Sequence, residues 1–263
     1  MNAYEKPTSI TWPISNNKFS FKERKNKEIH IPGIVEGNIG NIEEGKGFAF
    51  IEIDEYGKEV CCKGLKEFIK QTDKLEYVFD NHNHAFYFSY ELHYKTKLKY
   101  DFIHIDQHKD LREAPLEFDI YRKNILESRK KITDEYAKLN LKIEIEKLTG
   151  EELDLSVAYL YTNTVLNVGN FIKPMINMGM IDKFYCIDSQ YSMDEIIGYD
   201  CSRNYILDLD LDFFSKDMDY IKEAQKLEII QKLMQKSNLT LIATSPYFIE
   251  FEKCRDILGK LNK

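Results

Sequence analysis

Three aspartates take every second place in the stretch Ile206-Leu-Asp208-Leu-Asp210-Leu-Asp212-Phe-Phe214. Side chains of a strand alternate faces, so an extended chain sets all three carboxylates on one side. Aspartate is a poor strand former, and like charges along a pleat repel one another. Such a row is tolerated on an exposed edge strand with a solvated acidic face, or in the interior where cations hold it together. Earlier in the chain, His104-Ile-Asp106-Gln-His108-Lys-Asp110-Leu-Arg112 places acid or imidazole at every second position up to Asp110. Two such rows, rich in oxygen donors with some imidazole, are what a divalent metal centre requires.

The chain has 263 residues, 43% of them hydrophobic, which suits one α/β domain with a sizeable core better than two independent domains. Its 17 tyrosines and 16 phenylalanines against one tryptophan suit an aromatic-rich interior. A net charge of −7 argues against a nucleic-acid partner and favours cationic small molecules or basic peptides. Cys61, Cys62, Cys186, Cys201 and Cys254 form no C-x-x-C pair and read as reduced thiols, with Cys186 in a buried strand. The N-terminus, Met-Asn-Ala-Tyr-Glu-Lys-Pro7, lacks a basic-then-apolar signal pattern. No apolar stretch approaches the ~20 residues that span a bilayer. A soluble, cytoplasmic protein without a membrane partner is expected; whether it forms a homo-oligomer stays open.

Residues 1–45 are polar and punctuated by Pro7, Pro13, Pro32, Gly33, Gly37 and Gly40, and read as an irregular N-terminal extension with a short strand candidate at 28–32. Residues 48–53 predict a strand closed by a turn at 54–57, and 65–71 a short helix. Beyond Leu75, strands are predicted over 76–80, 102–105, 184–187, 205–210 and 239–244. Helical spacing covers 85–97, 118–139, 155–178 (broken by Gly169 and Pro174) and 218–236, with a further candidate at 141–147. Short apolar strands alternating with helices imply parallel pairing and right-handed crossovers, within a single domain over 1–263. Ligands collect at the carboxyl ends of such strands. The polar runs at 80–84, 104–110 and 208–212 each fall at or just past one of those ends.

His82 and His84 flank Asn83 in the elbow after strand 76–80 and can add imidazole to the same cluster. The alternative is a helix capped by Asp80 or Asn81 with exposed histidines. Taken together, Asp80-Asn-His-Asn-His-Ala85, His104-Ile-Asp-Gln-His-Lys-Asp-Leu111, Asn167-Val-Gly-Asn-Phe-Ile-Lys-Pro174 and Asp208-Leu-Asp-Leu-Asp-Phe-Phe214 resemble the arginase/ureohydrolase superfamily. Within it they look like the peptide arginases, which act in the biosynthesis of ribosomally made, modified peptides. The resemblance covers residues 75–250, the expected metal-binding core.

That resemblance implies a three-layer αβα, arginase/deacetylase-like fold with a mostly parallel sheet, and a cluster of two manganese ions (Mn2+). One ion would take His82, or else His84, with Asp106, Asp110 and Asp210. The other would take His108, Asp106, Asp210 and Asp212. Arginases have a small residue where Asp208 stands, so Asp208 is either a ligand or a support behind the ligands. No histidine follows His108, so the arginase proton-shuttle histidine has no counterpart, and His84, His104 or water is left for that role. The residues by which arginases grip a free amino acid are not recognisable, which suits a side chain embedded in a peptide.

The implied activity converts arginine side chains of a precursor peptide to ornithine with release of urea. Metal ions make hydroxide available near neutral pH, and it attacks the guanidinium carbon. A carboxylate should hold the guanidinium by paired hydrogen bonds. Glu250 is the candidate for that carboxylate, the alternative being an exposed residue at a helix start. Asn167 and Asn170 either orient substrate or shape a turn. Competing readings are a zinc deacylase of the same fold and a non-catalytic, metal-stabilised peptide-binding module. An amidohydrolase barrel, suggested by His82-x-His84, needs metal histidines late in the chain, and none occurs there.

Overall fold

Apolar runs of four to six residues, too short for helices, set the middle of the fold. The structure, a computed structural model, describes residues 4–141 and 149–262. The first third contains β1 (Thr8–Ile10), β2 (Ile29–Ile31), β3 (Ile34–Glu36), β4 (Glu44–Ile53), β5 (Glu59–Leu65), β6 (Phe68–Gln71) and β7 (Glu76–Phe79). Then come α1 (Ala85–Thr96), β8 (Tyr100–Ile105), α2 (Phe118–Leu126), α3 (Arg129–Lys138), α4 (Gly150–Thr164) and α5 (Ile172–Asn177). The chain closes with β9 (Ile181–Ile187), α6 (Gln190–Ile196), β10 (Tyr205–Asp210), α7 (Glu223–Met234), β11 (Leu239–Ala243) and α8 (Phe251–Leu261).

The main sheet has seven strands in the order β3-β6-β7-β11-β10-β8-β9. From β7 to β9 every neighbour pairs in parallel; β6 turns antiparallel against β7, and β3 runs parallel to β6. Every residue of β7, β8, β10 and β11 is buried, as a parallel sheet covered on both faces requires. The architecture is α/β with a mixed, mostly parallel sheet, compatible with three αβα layers. Among the described residues no helix is long and apolar enough to cross a membrane. The five cysteines are free, and Cys186 lies half-buried in β9.

Several expected boundaries shift. Residues 65–71 are not a helix: β5 ends at Leu65 and β6 begins at Phe68. Phe68 and Ile69 are both buried, and Ile69 sits opposite Val78, so pairing at the sheet edge decides the local structure. The region 118–139 splits into α2 and α3 at Ser128, whose backbone is extended. Helix α7 starts only at Glu223, because 216–218 form a separate 3-10 turn. The helix candidate at 141–147 lies, beyond Leu141, outside the described residues.

The N-terminal stretch is more than an irregular extension. It supplies β1 and β2, puts β3 on the edge of the main sheet, and sends Tyr4 into the core fully buried. The Tyr4 hydroxyl lies 2.6 Å from His84 Nδ1, and its ring meets Phe68, Tyr87 and Tyr159. Buried isoleucines at 10, 29, 31, 39 and 42 carry the rest of this region onto the core.

Behind the elbow after β7, Asp80 Oδ1 accepts the backbone N–H of Leu65 at 2.7 Å. Gly64 makes that approach possible, since a Cβ there would run into Asp80 Oδ2 and come within 2.5 Å of Ala49 Cβ. Gly64→Ala should therefore lower stability by about 1–3 kcal/mol through overpacking. Chemical denaturation measures it, and an unchanged midpoint would contradict this packing.

Candidate metal centre

The polar runs converge at the carboxyl ends of β7, β8, β10 and β11. Strand β10 lies between β11 and β8, so its aspartates are interior and not a solvated edge. Asp208 and Asp212 are fully buried and Asp210 is 4% exposed. The register sets Asp208 beside His104 of β8, which fixes the first contact of the cluster. The rows are shorter than the alternation predicts. Strand β8 ends at Ile105, leaving Asp106, His108 and Asp110 in the loop after it, and β10 ends at Asp210, leaving Asp212 in a 3-10 turn. In that turn Asp210 Oδ1 accepts the Asp212 N–H at 2.9 Å. Lys226 of α7 holds the same turn by donating to the carbonyls of Phe213 (2.7 Å) and Met218 (2.8 Å).

Two groups of donor atoms result. His82 Nδ1 faces three carboxylate oxygens: Asp106 Oδ2 at 3.1 Å, Asp210 Oδ2 at 3.2 Å and Asp110 Oδ2 at 3.3 Å. His108 Nδ1 faces Asp212 Oδ2 at 3.0 Å and Asp106 Oδ1 at 3.3 Å. Asp106 thus turns one oxygen to each group. His82, not His84, is the elbow residue in the cluster.

Asp208 stands behind the imidazoles. Its Oδ2 is 2.7 Å from His104 Nδ1 and its Oδ1 is 3.0 Å from His82 Nε2, although that second approach is not aligned as a hydrogen bond. This matches a support behind the ligands, orienting His82 so that Nδ1 points at the carboxylates. His104 Nε2 reaches the His108 carbonyl at 3.2 Å and Asp106 Oδ2 at 3.4 Å. Phe171, at the start of α5, packs on His82 with ring centroids 4.7 Å apart. His84 points elsewhere, into Tyr4, Phe68 and Phe79, and burial pushes its pKa down to about 3, so it is neutral and remote from the acids.

Charge in the cluster is strongly redistributed. Burial raises Asp110 and Asp212 above the carboxylate range, with Asp210 adding to the effect on Asp212. Burial acts the same way on Asp106 and Asp208 but is outweighed: His108, His82 and His104 hold Asp106 low, and His82 and His104 hold Asp208 low. Burial disfavours the charged forms of His82 and His104, yet the neighbouring carboxylates raise both. Asp106 and Asp212 push half-exposed His108 up to about 10. The imidazoles therefore act as makeshift cations for the acids.

The donor set fits a divalent ion. His82, His104 and Asp106 offer donor atoms within 4.8 Å of one another, and so do Asp106, His108 and Asp212. Carboxylate-rich donors with imidazole suit manganese-like ions more than a thiolate-seeking one. Asp110 and Ser245 both adopt positive φ (48° and 44°), backbone strain of the kind that gathers at functional sites. Ser245 donates to Asp210 Oδ2 at 2.6 Å and Gln107 Nε2 to Asp212 Oδ2 at 3.1 Å, contacts that no local pattern predicts.

A cavity of about 570 Å3 opens over the cluster, with Asp110, Asp210, Asp212 and His108 as its floor, Leu111, Val168 and Phe248 as walls, and Lys109 and Arg112 at the rim. Phe248 is brought there by the turn after Ser245, its ring 5.3 Å from His108. Glu250 is exposed at the N-cap of α8 and does not line this cavity. Asn167 and Asn170 are turned on their own loop: Asn170 Oδ1 accepts Asn167 N–H at 2.8 Å and Asn167 Oδ1 accepts Gly169 N–H at 3.0 Å. They shape a turn, and only its Val168 and Gly169 reach the cavity. No protein-family model, curated protein or solved structure matches the chain.

Titration with Mn2+ should raise the melting temperature, because an ion bound only by the folded state stabilises it by mass action. Asp210→Asn should lose that rise while its metal-free form melts no lower than the parent, since one buried like charge is removed. A metal-dependent rise of full size in Asp210→Asn would refute the assignment.

Lys226 gives a pH test away from the donors. Burial lowers its pKa to about 8, with Lys253 assisting and Asp219 and Glu223 opposing. Between that value and the ordinary lysine range the unfolded chain binds more protons than the folded one, so this residue makes stability rise with pH across about 8–10.5. Denaturation curves should show that component in the parent and not in Lys226→Met; parallel pH profiles would sink it.

Proposed function

We propose that this protein is a metal-dependent hydrolase of the arginase type, acting on arginine side chains of a peptide to leave ornithine and release urea. The observation that carries the reading is the division of Asp106: one oxygen faces His82, Asp110 and Asp210, the other faces His108 and Asp212. Apart from Asp210, which the resemblance puts on both ions and which here faces only the His82 group, that division follows the implied ligand sets and supports a two-ion hydrolase over a single-zinc deacylase. Bound there, manganese ions would supply Lewis acidity and make water a nucleophile at neutral pH.

The chain's own residues have separate tasks. Asp106, Asp110, Asp210 and Asp212 would hold the ions, while Phe248 lines the cavity where a planar cation can meet its ring. Leu111 and Val168 flank the aliphatic stem and exclude water. Water adds to the guanidinium carbon, the bond from that carbon to the side-chain nitrogen breaks, and the nitrogen leaves as the ornithine amine with a proton gained. His108, half-exposed at the same floor, is the nearest imidazole to the open cavity, whereas His104 is sealed below it.

The cavity reaches the surface beside exposed Lys109, Arg112 and Phe248, which is compatible with a side chain presented by a peptide. Co-expression with an arginine-containing precursor peptide should lower its mass by about 42 Da per modified arginine, the loss of CN2H2. Asp106→Ala should abolish that change and urea release while the variant stays folded by circular dichroism. Undiminished urea from purified Asp106→Ala would overturn the reading.

A further inference from the structure

We propose that Arg112 is a recognition residue for a carboxylate that the substrate carries close to its cationic group. The identity of that cationic group rests on the reading above; the part concerning Arg112 rests on its own geometry. Arg112 lies two residues beyond Asp110 and lines the cavity whose floor is acidic. Among the described residues no carboxylate approaches its guanidinium within 4.0 Å, although the protein carries 44 acidic residues against 37 basic ones.

The side chain is held in a prepared seat. Its backbone N–H and its Nε both donate to the Gly169 carbonyl, at 3.1 and 3.3 Å. Gly169 has no side chain where the guanidinium rests; a Cβ there would come within 2.6 Å of Arg112 Cζ and Nε. The asparagine-locked turn at 167–170 fixes that glycine, and Asn16 Oδ1 fastens the same turn by accepting the Val168 N–H at 3.3 Å. Arginine has five N–H donors in a planar fork, so four remain after the bond from Nε. A fork anchored on one side at a cavity rim matches the two oxygens of a carboxylate.

Lys109 lies on the same rim, its closest carboxylate, Asp188, at 3.9 Å. Arg112 and Lys109 together give this lining two cations, which suit an anionic group on the ligand. The carboxylate can be the terminal one of an arginine at a chain end, or the side chain of an aspartate or glutamate beside it. Both present the same group to the fork.

Calorimetric titration of the manganese-loaded protein separates these sources with two ligand pairs: N-acetylarginine against its amide, and acetyl-Arg-Asp amide against acetyl-Arg-Asn amide. At least one carboxylate ligand should bind about tenfold more tightly than its neutral partner, the worth of a partly exposed charge-assisted bond. The first pair discriminating indicates a terminal carboxylate, the second an acidic neighbour. In Arg112→Gln the ratio should fall towards one. Gly169→Ala keeps the charge but displaces the guanidinium, and should lower the ratio too.

Equal affinities within both pairs, no binding by any ligand, or discrimination that survives in both variants would overturn the assignment. Because the affinity ratio can be read whether or not urea forms, absence of urea from ligands that bind would count against the hydrolase reading alone.

Discussion

Buried negative charge governs this molecule. Asp106, Asp110, Asp208, Asp210 and Asp212 are packed at one end of the sheet with His82, His104 and His108. Even with all three imidazoles protonated, five carboxylates outnumber them, and removing an unpaired carboxylate from water costs several kcal/mol. One His82 Nδ1 cannot satisfy three acids at once. Burial raises the pKa of Asp110 and Asp212, which reflects the same crowding of negative charge. A divalent ion held by the cluster would relieve it more fully.

Holding such a cluster needs support from outside the sheet, and the N-terminal stretch supplies it. Asn16 donates to Asn83 Oδ1 at 3.0 Å and accepts from Val168, tying the His82 elbow to the cavity wall. Asn83 in turn donates to the Thr162 carbonyl of α4 at 2.9 Å. Tyr4 locks His84 on the opposite side of the elbow. With Asn83 and His84 pinned in this way, the short 3-10 turn carrying His82 has little freedom to rotate its ring away from the acids. A segment that looked detachable by composition is thereby a part of the site's frame.

The strands and the metal-type cluster were legible because period-two alternation and acid spacing are local properties. Strands β8 and β10 end at Ile105 and Asp210, where the predicted strands 102–105 and 205–210 end, although the polar alternation runs on past both. What escaped is non-local. Phe68-Ile69 carries no mark telling a helix from an edge strand, and β7 decides it. Ser245 and Gln107 have ordinary sequence surroundings, and only folding brings them to Asp210 and Asp212. Strand-to-elbow spacing favours His82 over His84, and folding places His82 among the acids and His84 against Tyr4. Glu250 fails because distance along the chain after β11 says nothing about the turn that sends Phe248 to the cavity and Glu250 to the cap of α8. Arg112 was part of the first polar run yet lacked meaning until Gly169, more than fifty residues away, was seen beneath it.

Asp110 and Ser245, two of the six non-glycine residues with positive φ among the described residues, add a cost to this geometry. Positive φ at a residue other than glycine costs on the order of 1–3 kcal/mol, and Ser245 also precedes Pro246, where helical-type backbone is disfavoured. Glycine at 245 would remove the strain but also the hydroxyl that meets Asp210, leaving that oxygen with less support. At 110 glycine would remove a carboxylate from the His82 group. In both places the strained backbone serves an atom aimed at the same small volume. A ligand shared by their oxygens would account for that convergence of two loops that follow different strands.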